Sequence, residues 1–513
     1  MSNHKNFPRE TAFKGMTAAV MVLVGLHMSP AQAANIMVTN VLLDKVVLGQ
    51  NYVKFDVSWD ASWRASWTET SITPNITITN WDAAWIFVKY RVAGSTSSWS
   101  HATLSTNNSD HVAPAGSTIN VGLSTNTGGT NFGAGVFLYR STVGNGSWTN
   151  TGVKLRWRYA DDGVANVAHV DVSVHAIEMV YVPQGSFYAG DGTTLNTNGQ
   201  FENGQFTNAF LVTNDNYIIY LGGGTNGNMG NRNRVGMYAL EDDFNNTTTV
   251  LLPAAFPKGY NAFYCMKYET SQGQYADFLN QLAYAQATNR YPSYSDKRYT
   301  ISGSYPNYSA SAHTRACNYL CWADGAAYAD WAGLRPMTEL EYEKACRGPL
   351  SPVAEEYAWG TTTITQQTGY VGTDGSGTEA ALPAGADCNY NSNATNGPVR
   401  CGLFATTNAG RVLAGSTYWG IMEMSGNVRE LTVTVGNSTG RKFAGAHGNG
   451  RLDSNGNADA PLWPDTTATG TGNRGGNWLE NALFLRTSDR RYAGRVISDR
   501  SAYIGWRAVR SAP

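Results

Sequence analysis

The C-terminal segment, residues 474–510, constrains the fold more than any other part of the sequence. It opens with Arg-Gly-Gly-Asn-Trp at 474–478 and closes with a short strand-like run at 503–509. Between them, residues 483–503 follow neither the 3.6-residue period of a helix nor the alternation of a strand. Such a stretch must be held as loops by the rest of the fold, and its Arg, Tyr, Trp and Phe residues are types that dominate binding hot spots. An ordinary folded C-terminus with buried aromatic residues is the alternative.

Length, charge and composition narrow the class of protein. A chain of 513 residues is too long for one hydrophobic core, so two or three domains are expected. The formal net charge of -1 argues against nucleic acid or an anionic membrane as the main partner. Only 15% of the residues are charged, whereas the chain holds 55 Gly, 15 Trp and 28 Tyr. This mixture is typical of loop-rich β structure with aromatic surfaces.

The N-terminus predicts export. Basic residues precede an apolar stretch at 16–26, and Ala-Gln-Ala at 31–33 is a typical cleavage site. We therefore expect residues 1–33 to be a signal peptide and the mature protein to be periplasmic, at the cell surface or extracellular. The apolar stretch is too short to span a bilayer, and no later segment is long and apolar enough, so no membrane span is expected.

The cysteines are interpreted in the light of export, which permits disulfides. Cys388 and Cys401 flank a loop rich in Gly and Asn and are the best candidates for a bridge. Cys317 and Cys321 have helical spacing and no second ligand pair nearby, which argues against zinc. The eight His residues are scattered and indicate no histidine metal site.

Residues 34–177 are predicted to form an all-β sandwich. Apolar and polar residues alternate at 53–59, and similar strand-like runs occur at 85–92, 136–139, 155–159 and 170–174. Clusters of Gly, Ser, Asn and Thr separate these runs without any helical window, as in β-sandwiches. The region offers no catalytic constellation, so we interpret it as a spacer or assembly module.

Helical patterns appear only in the C-terminal part. Ser271 is placed to cap a helix whose apolar positions recur at helical spacing. A second helix is predicted at 322–331, and a third begins with a capping box at Thr338 and ends at Gly348. An Asn-rich insert at 188–235 is predicted to form long loops.

Five motifs of the C-terminal part occur in the order found in one known family. They lie at 179–187, 265–270, 335–343, 422–430 and 474–507. Together they resemble the formylglycine-generating enzymes, or sulfatase-modifying factors, which have a C-type-lectin-like fold. The resemblance covers residues 178–513 and implies an irregular α+β domain. It also implies that the first and last strands pair and that the loops between them form the functional face.

The resemblance implies a structural calcium ion in the fourth motif. By position, Glu423 and Glu430 would supply carboxylate oxygens, and Gly426 and Val428 main-chain carbonyls. Calcium takes many hard oxygen ligands and tolerates irregular loops, so the donor set suits it. The family member compared has an amide where this chain has Glu423. The alternative is that residues 425–427 are only a turn leading into a strand.

The resemblance also bears on catalysis. The formylglycine-generating enzymes hold copper(I) with two cysteines, shortly after the Gly-Gly pair. Glu480 and Leu485 occupy those positions here, and no cysteine follows Cys401, so we expect no nearby residue to replace the thiolates. The histidine cluster of the iron-dependent branch is missing as well. We therefore expect a non-catalytic member that binds no copper.

The closing segment has a second resemblance. Between 483 and 503, short irregular groups alternate with a regular framework, as in the variable proteins of diversity-generating retroelements. Those proteins carry a hypermutated ligand-binding surface on this fold, which implies a macromolecular ligand here, protein or glycan. The candidate binding residues are Trp478, Glu480, Asn481, Leu483, Phe484, Arg491, Tyr492, Arg495, Val496, Ser501, Ala502, Tyr503 and Trp506. No Glu-Pro-Asn or Gln-Pro-Asp triplet occurs, so a direct C-type-lectin sugar site is not supported.

Three hypotheses for the function remain open. The first is an exported ligand-binding protein without oxidase activity, in which the β-sandwich spaces or anchors the recognition domain. The second is a formylglycine-generating oxidoreductase with an unrecognised metal site. The third is a structural subunit of a surface assembly, whose aromatic faces pack against neighbouring subunits. Copper or iron content separates the first two, and size in solution tests the third.

Overall fold

The computed structural model describes residues 36–46, 50–93, 98–126, 128–165, 168–192, 197–205, 208–238, 242–392, 394–406 and 409–513. The predicted signal peptide, 1–33, lies outside the described residues. Within these ranges the fold is mostly β with four α-helices. None of those helices is both long enough and apolar enough to cross a membrane.

Eight strands form the N-terminal part. They are β1 (Met37–Val46), β2 (Gln50–Glu69), β3 (Ile76–Val92), β4 (Ser100–His101), β5 (Ser117–Thr125), β6 (Asn131–Arg140), β7 (Gly144–Trp157) and β8 (Val170–Val182). Every second residue of β2 from Val53 to Trp59 is buried, as the alternation predicts. These side chains pack in one core with side chains of β3, β5, β6 and β7.

The C-terminal part consists of short strands between four helices. The strands are β9 (Phe187–Ala189), β10 (Phe201–Asn203), β11 (Phe210–Val212), β12 (Ile219–Gly222), β13 (Met229–Asn231), β14 (Thr249–Leu252), β15 (Phe263–Met266), β16 (Ile301–Ser304), β17 (Asn307–Ala310), β18 (Arg335–Thr338), β19 (Gly369–Val371), β20 (Ala380–Leu382), β21 (Glu430–Val433), β22 (Thr471–Arg474) and β23 (Ala508–Ser511). The helices are α1 (Gln272–Gln281), α2 (Tyr284–Arg290), α3 (Trp322–Trp331) and α4 (Glu339–Arg347).

The three predicted helices are confirmed, and their ends have the predicted caps. The hydroxyl of Ser271 accepts a hydrogen bond from the N–H of Gln274, and that of Thr338 accepts from the N–H of Glu341, both at 3.2 Å. Gly348 follows α4 with φ of +67°. Helix α2 was not predicted, because Ala287 is the one residue of its seven that is buried, which leaves no apolar period to detect.

One sheet runs through both predicted domains. Its strand order is β1-β2-β3-β8-β15-β23-β18-β21-β22. Strand β8 pairs with β3 as far as Val180 and with β15 from Met179 onwards. A single strand therefore crosses the boundary predicted between residues 177 and 178, and the two parts share main-chain hydrogen bonds.

Side chains reinforce this connection at α3. The indole N–H of Trp85 donates to the carbonyl of Ala332 at 2.8 Å. The fully buried Lys89 ammonium donates to the carbonyls of Trp331 (2.7 Å) and Gly450 (3.0 Å). Buried polar groups are costly unless they are paired, so these bonds fix the N-terminal strands against the helix.

The implied pairing of the first and last strands of the C-terminal domain is wrong. Strand β15 lies between β8 and β23, and Phe263 faces Val182 on one side and Ser511 on the other. All four residues of β15 are buried. A strand with both edges paired and both faces covered reads as a continuous apolar run, which gives no signal for its neighbours.

Candidate functional site

A buried ion network holds the C-terminal loops against α4. Arg490 is fully buried and pairs with Asp242 (Nη1–Oδ2, 2.8 Å) and Glu339 (Nε–Oε2, 2.7 Å). Arg474 pairs with Glu339 (3.1 Å) and Glu343 (2.6 Å). Removing one partner of such a pair leaves a buried charge uncompensated, at a cost of about 3–5 kcal/mol. The network therefore anchors the last segment both at the end of β22 and within its loops.

The Gly-Gly pair after β22 lets the chain pass close to the fourth motif. Gly475 and Gly476 have φ of +84° and +65°. A Cβ atom on Gly475 would lie 2.6 Å from Glu430 Oε2 and 2.8 Å from the carbonyl oxygen of Met424. Only glycine fits there, because it lacks that atom and tolerates a positive φ.

Aromatic rings and guanidinium groups alternate across the face formed by these loops. The Arg429 guanidinium lies 4.3 Å from the ring centroid of Tyr492 and 5.1 Å from that of Tyr503. The Arg495 guanidinium lies 4.7 Å from the ring of Tyr238 and 5.2 Å from that of Tyr492. Such contacts contribute about 0.5–2 kcal/mol each, depending on burial. We name this face the Tyr492 surface; it comprises Tyr238, Arg429, Leu483, Phe484, Arg491, Tyr492, Arg495, Val496 and Tyr503.

A second pair extends the Tyr492 surface. The Arg491 guanidinium lies 4.0 Å from the ring of Phe484, and that ring stacks on Tyr492 with centroids 5.8 Å apart. Leu483 and Val496 are 43% and 46% exposed. The surface therefore combines cations, flat rings and exposed aliphatic groups.

Most of the predicted ligand-binding residues are at least partly exposed. The exposed ones are Asn481, Leu483 and Val496. The half-buried ones are Glu480, Phe484, Arg491, Tyr492, Arg495, Ser501, Ala502 and Tyr503. The side chains that a ligand could reach therefore come from several separate groups between 480 and 503.

Trp478 and Trp506 do not belong to the surface, contrary to expectation. Trp506 is fully buried, and its ring packs edge-on against Trp322 at 5.4 Å and directly over Gly325. Trp478 is 3% exposed, and its indole N–H donates to the carbonyl of Ala502 at 3.1 Å. Both are core residues that support the loops from beneath.

The Asn-rich insert supports the surface, which its sequence did not suggest. The carbonyl of Asn198 accepts from the Arg490 N–H (2.9 Å), and that of Gly199 accepts from Arg490 Nη1 (2.8 Å). Tyr238, just beyond the insert, donates its N–H to the carbonyl of Arg491 at 2.8 Å. The insert also contains short strands, β10 to β13, where long loops were predicted.

Glu480 forms an ion pair at the first position that the resemblance assigns to a copper thiolate. Its carboxylate contacts the Arg429 guanidinium, with Nε–Oε2 at 3.2 Å and a shorter Nη2–Oε1 contact. Asn477 Nδ2 also donates to Oε2 at 2.7 Å. The Arg429 and Glu480 side chains are 4% and 12% exposed. The carboxylate is therefore largely buried and fully engaged.

Leu485 at the second thiolate position is fully buried, and one cysteine does lie near it. Cys388, which precedes it in the sequence, belongs to the same core cluster. Its thiol donates to the carbonyl of Ser425 at 3.1 Å, and burial raises the pKa of that thiol. A protonated thiol beside a leucine does not fit a pair of copper(I) thiolates.

One known family matches more than half of the chain. The sulfatase-modifying factor enzyme 1-like domain matches residues 165–512. The chain belongs to this family. No curated protein matches the chain. The match begins before residue 178 and includes the whole of β8, the strand that the sulfatase-modifying factor domain shares with the N-terminal strands.

The fourth motif of the sulfatase-modifying factor domain gathers the candidate calcium ligands. Glu423 Oε1 accepts a main-chain N–H at 2.7 Å, and Glu430 Oε1 accepts from Arg507 at 3.1 Å. The second oxygen, Oε2, of each carboxylate is buried without a hydrogen-bond partner. Gly426 and Val428 lie between these two glutamates in the sequence and are buried as well. Orphaned carboxylate oxygens fit a hard cation such as calcium.

The electrostatics of this motif also suit a cation. Burial raises the pKa of Glu423 to about 7 and that of Glu430 to about 8, although Arg507 opposes both shifts. A divalent cation would favour the charged forms. Among the described residues no three His, Cys, Asp or Glu side chains converge on one point. Calcium would therefore depend on two carboxylates together with main-chain carbonyls.

The predicted bridge between Cys388 and Cys401 does not form. All six cysteines are buried free thiols. The Cys401 thiol donates to the carbonyl of Glu269 at 3.5 Å and lies in a different core cluster from Cys388. Flanking a loop is a weak indication of a bridge, because it does not fix the direction of the two side chains.

Proposed function

We propose that this chain is an exported ligand-binding protein whose sulfatase-modifying factor domain displays the Tyr492 surface and has no oxidase activity. The observation that carries the proposal is the ion pair between Arg429 and Glu480. The resemblance assigns Glu480 to the position of the first copper thiolate and the buried Leu485 to that of the second. A carboxylate bound to a guanidinium and an alkyl group cannot make a linear thiolate site.

The residue types of the Tyr492 surface, and the buried ion pairs that hold its loops, favour a role in binding a ligand. Tyr and Arg are enriched in binding hot spots, and exposed rings next to cations suit a macromolecular ligand, protein or glycan. The buried Arg474 and Arg490 hold the supporting loops. Binding would then order few further groups, which lowers its entropic cost. The near-zero net charge makes nucleic acid a poor candidate for the ligand.

The remaining parts of the chain would present this surface. We propose that the predicted signal peptide, residues 1–33, directs export and that residues 34–177 act as a β-sandwich spacer or anchor. Residues 178–513 would have the C-type-lectin-like layout. The shared strand β8 and the bonds of Lys89 to α3 support a rigid connection, which would set the direction of the surface.

Calcium would act as a structural ion in this scheme. Glu423 and Glu430 would bind it through their orphaned oxygens, and the carbonyls of Gly426 and Val428 would complete the set. An ion bound only by the folded chain adds stability to an irregular, loop-rich domain. Its role is to hold the turn beneath the Gly-Gly pair, away from the ligand.

Sequencing the gene from many isolates tests whether the surface is diversified. We expect substitutions confined to the alternating irregular groups between 479 and 503, with the buried Leu485 and Arg490 unchanged. An even spread of substitutions along the domain would remove the relation to diversity-generating retroelements. It would leave a binding protein with a fixed ligand.

A further inference from the structure

We infer that the Tyr492 surface recognises an acidic polypeptide segment with apolar side chains beside its carboxylates. This inference rests on the proposed function and specifies its ligand. It depends on three properties of the surface: a cation without a carboxylate partner among the described residues, the engagement of the Glu480 carboxylate by Arg429, and an apolar rim.

The unpaired cation is Arg495. Arg429 pairs with Glu480, and Arg491 lies 3.7 Å from Asp489. No carboxylate among the described residues pairs with Arg495, whose described side-chain contacts are the rings of Tyr238 and Tyr492. No acceptor among the described residues takes a hydrogen bond from the guanidinium N–H groups of Arg495. A carboxylate is the planar acceptor that matches these groups.

The Glu480 carboxylate and the Asn481 side-chain oxygen are already engaged. Both oxygens of Glu480 bind Arg429, and one of them also accepts from Asn477. The side-chain oxygen of Asn481 accepts from the N–H of Leu483 at 3.1 Å. A ligand that brings its own carboxylate can therefore form a charge-assisted pair with Arg495, which a neutral sugar cannot form.

The rim distinguishes an acidic polypeptide from a sulfated glycan. Leu483 and Val496 are each more than 40% exposed, and they directly adjoin Phe484 and Arg495 along the chain. The Phe484 ring in turn stacks on Tyr492. Aliphatic groups at this density stabilise a complex by burying apolar atoms of the ligand. A polypeptide offers such atoms between its carboxylates, and a sulfated glycan offers few.

Panning a random peptide library against the immobilised full-length chain tests the inference, with a heparin oligosaccharide as competitor. Enriched peptides are expected to carry Asp or Glu next to Leu, Ile or Phe, and to bind more weakly as salt is raised. Arg495→Gln should weaken the binding of these peptides about tenfold, equivalent to ~1.4 kcal/mol. Arg158→Gln is the matched control; Arg158 is an exposed arginine of the N-terminal part and should leave binding unchanged.

Tyr492→Ala distinguishes a failure of the inference from a failure of the proposed function. If peptides bind in a Tyr492-dependent way but are neutral or basic, or bind Arg495→Gln as tightly as the parent, the inference is wrong and the binding function stands. Tyr492-dependent binding of heparin without any acidic peptide also overturns it. If nothing is retained that Tyr492→Ala releases, the proposed function fails, and the inference fails with it.

Discussion

The substitution Glu480→Gln tests how much the ion pair between Arg429 and Glu480 stabilises the fold. The resemblance assigns Glu480 to the position of a copper-binding cysteine. In Glu480→Gln, Arg429 keeps Asn473 Oδ1 at 3.1 Å and the rings of Tyr492 and Tyr503, but loses its carboxylate. Breaking a buried pair from one side costs about 3–5 kcal/mol. Because Glu480 is 12% exposed and a Gln oxygen still accepts, we expect a loss of about 2 kcal/mol in the free energy of unfolding.

Urea unfolding followed by tryptophan fluorescence measures this loss in the free energy of unfolding. An unchanged m-value would show that the variant exposes the same surface on unfolding as the parent protein. The double variant Arg429→Met with Glu480→Met should lie within ~1 kcal/mol of the parent, because replacing both partners leaves no unpaired charge. Asp161→Asn is the control; its pair with Arg158 is more than 40% exposed on both sides, so the change should stay below about 0.5 kcal/mol. A Glu480→Gln effect no larger than this control, or a double variant less stable than the single one, would refute the reasoning.

Three further predictions concern the scaffold. Burial raises the pKa of Glu178 from 4.5 to about 7, although the Lys267 ammonium, 2.5 Å from its carboxylate, opposes the shift. The protonated carboxyl therefore contributes its whole share to the free energy of unfolding below pH 4.5, and this contribution is lost as the pH rises through 7. Glu178→Gln should therefore remove up to about 3 kcal/mol of the decline between pH 4.5 and 8 seen in pH-dependent unfolding, and an unchanged slope would contradict this. Calcium at a hundredfold excess over its Kd should stabilise the protein by about 2.7 kcal/mol, as measured by thermal unfolding with and without a chelator. Glu430→Gln should abolish this stabilisation, and equal stabilisation of the parent protein and the variant would exclude this site. Gly475→Ala should cost at least about 2 kcal/mol in urea unfolding, because its Cβ would lie 2.6 Å from Glu430 Oε2, and a neutral change would show that the turn can open.

Local signals explain what the sequence could predict. Caps act over three or four residues, so Ser271 and Thr338 locate α1 and α4 without knowledge of the rest of the fold. The alternation along β2 likewise reports which side chains face the core. Family resemblance supplied the order of the motifs and the positions of Glu480 and Leu485.

Long-range contacts explain what the sequence could not predict. The position of β15 depends on pairing with β8, more than eighty residues earlier, and with β23, more than two hundred residues later. Its short apolar run carries no signal for the register of either pairing. Residue type did not distinguish the buried Trp506 from the half-buried Tyr503. Tyr238 joins the surface through a main-chain bond to Arg491 and a ring contact with Arg495, and no pattern in the sequence marks either contact.

The absence of oxidase activity can be tested by supplying the purified chain with copper(I) and oxygen in the presence of a cysteine-containing peptide. We predict no stoichiometric copper and no formylglycine in the peptide by mass spectrometry, because Glu480 is paired with Arg429 and Leu485 is buried. One copper ion per chain together with conversion of the peptide cysteine would contradict it.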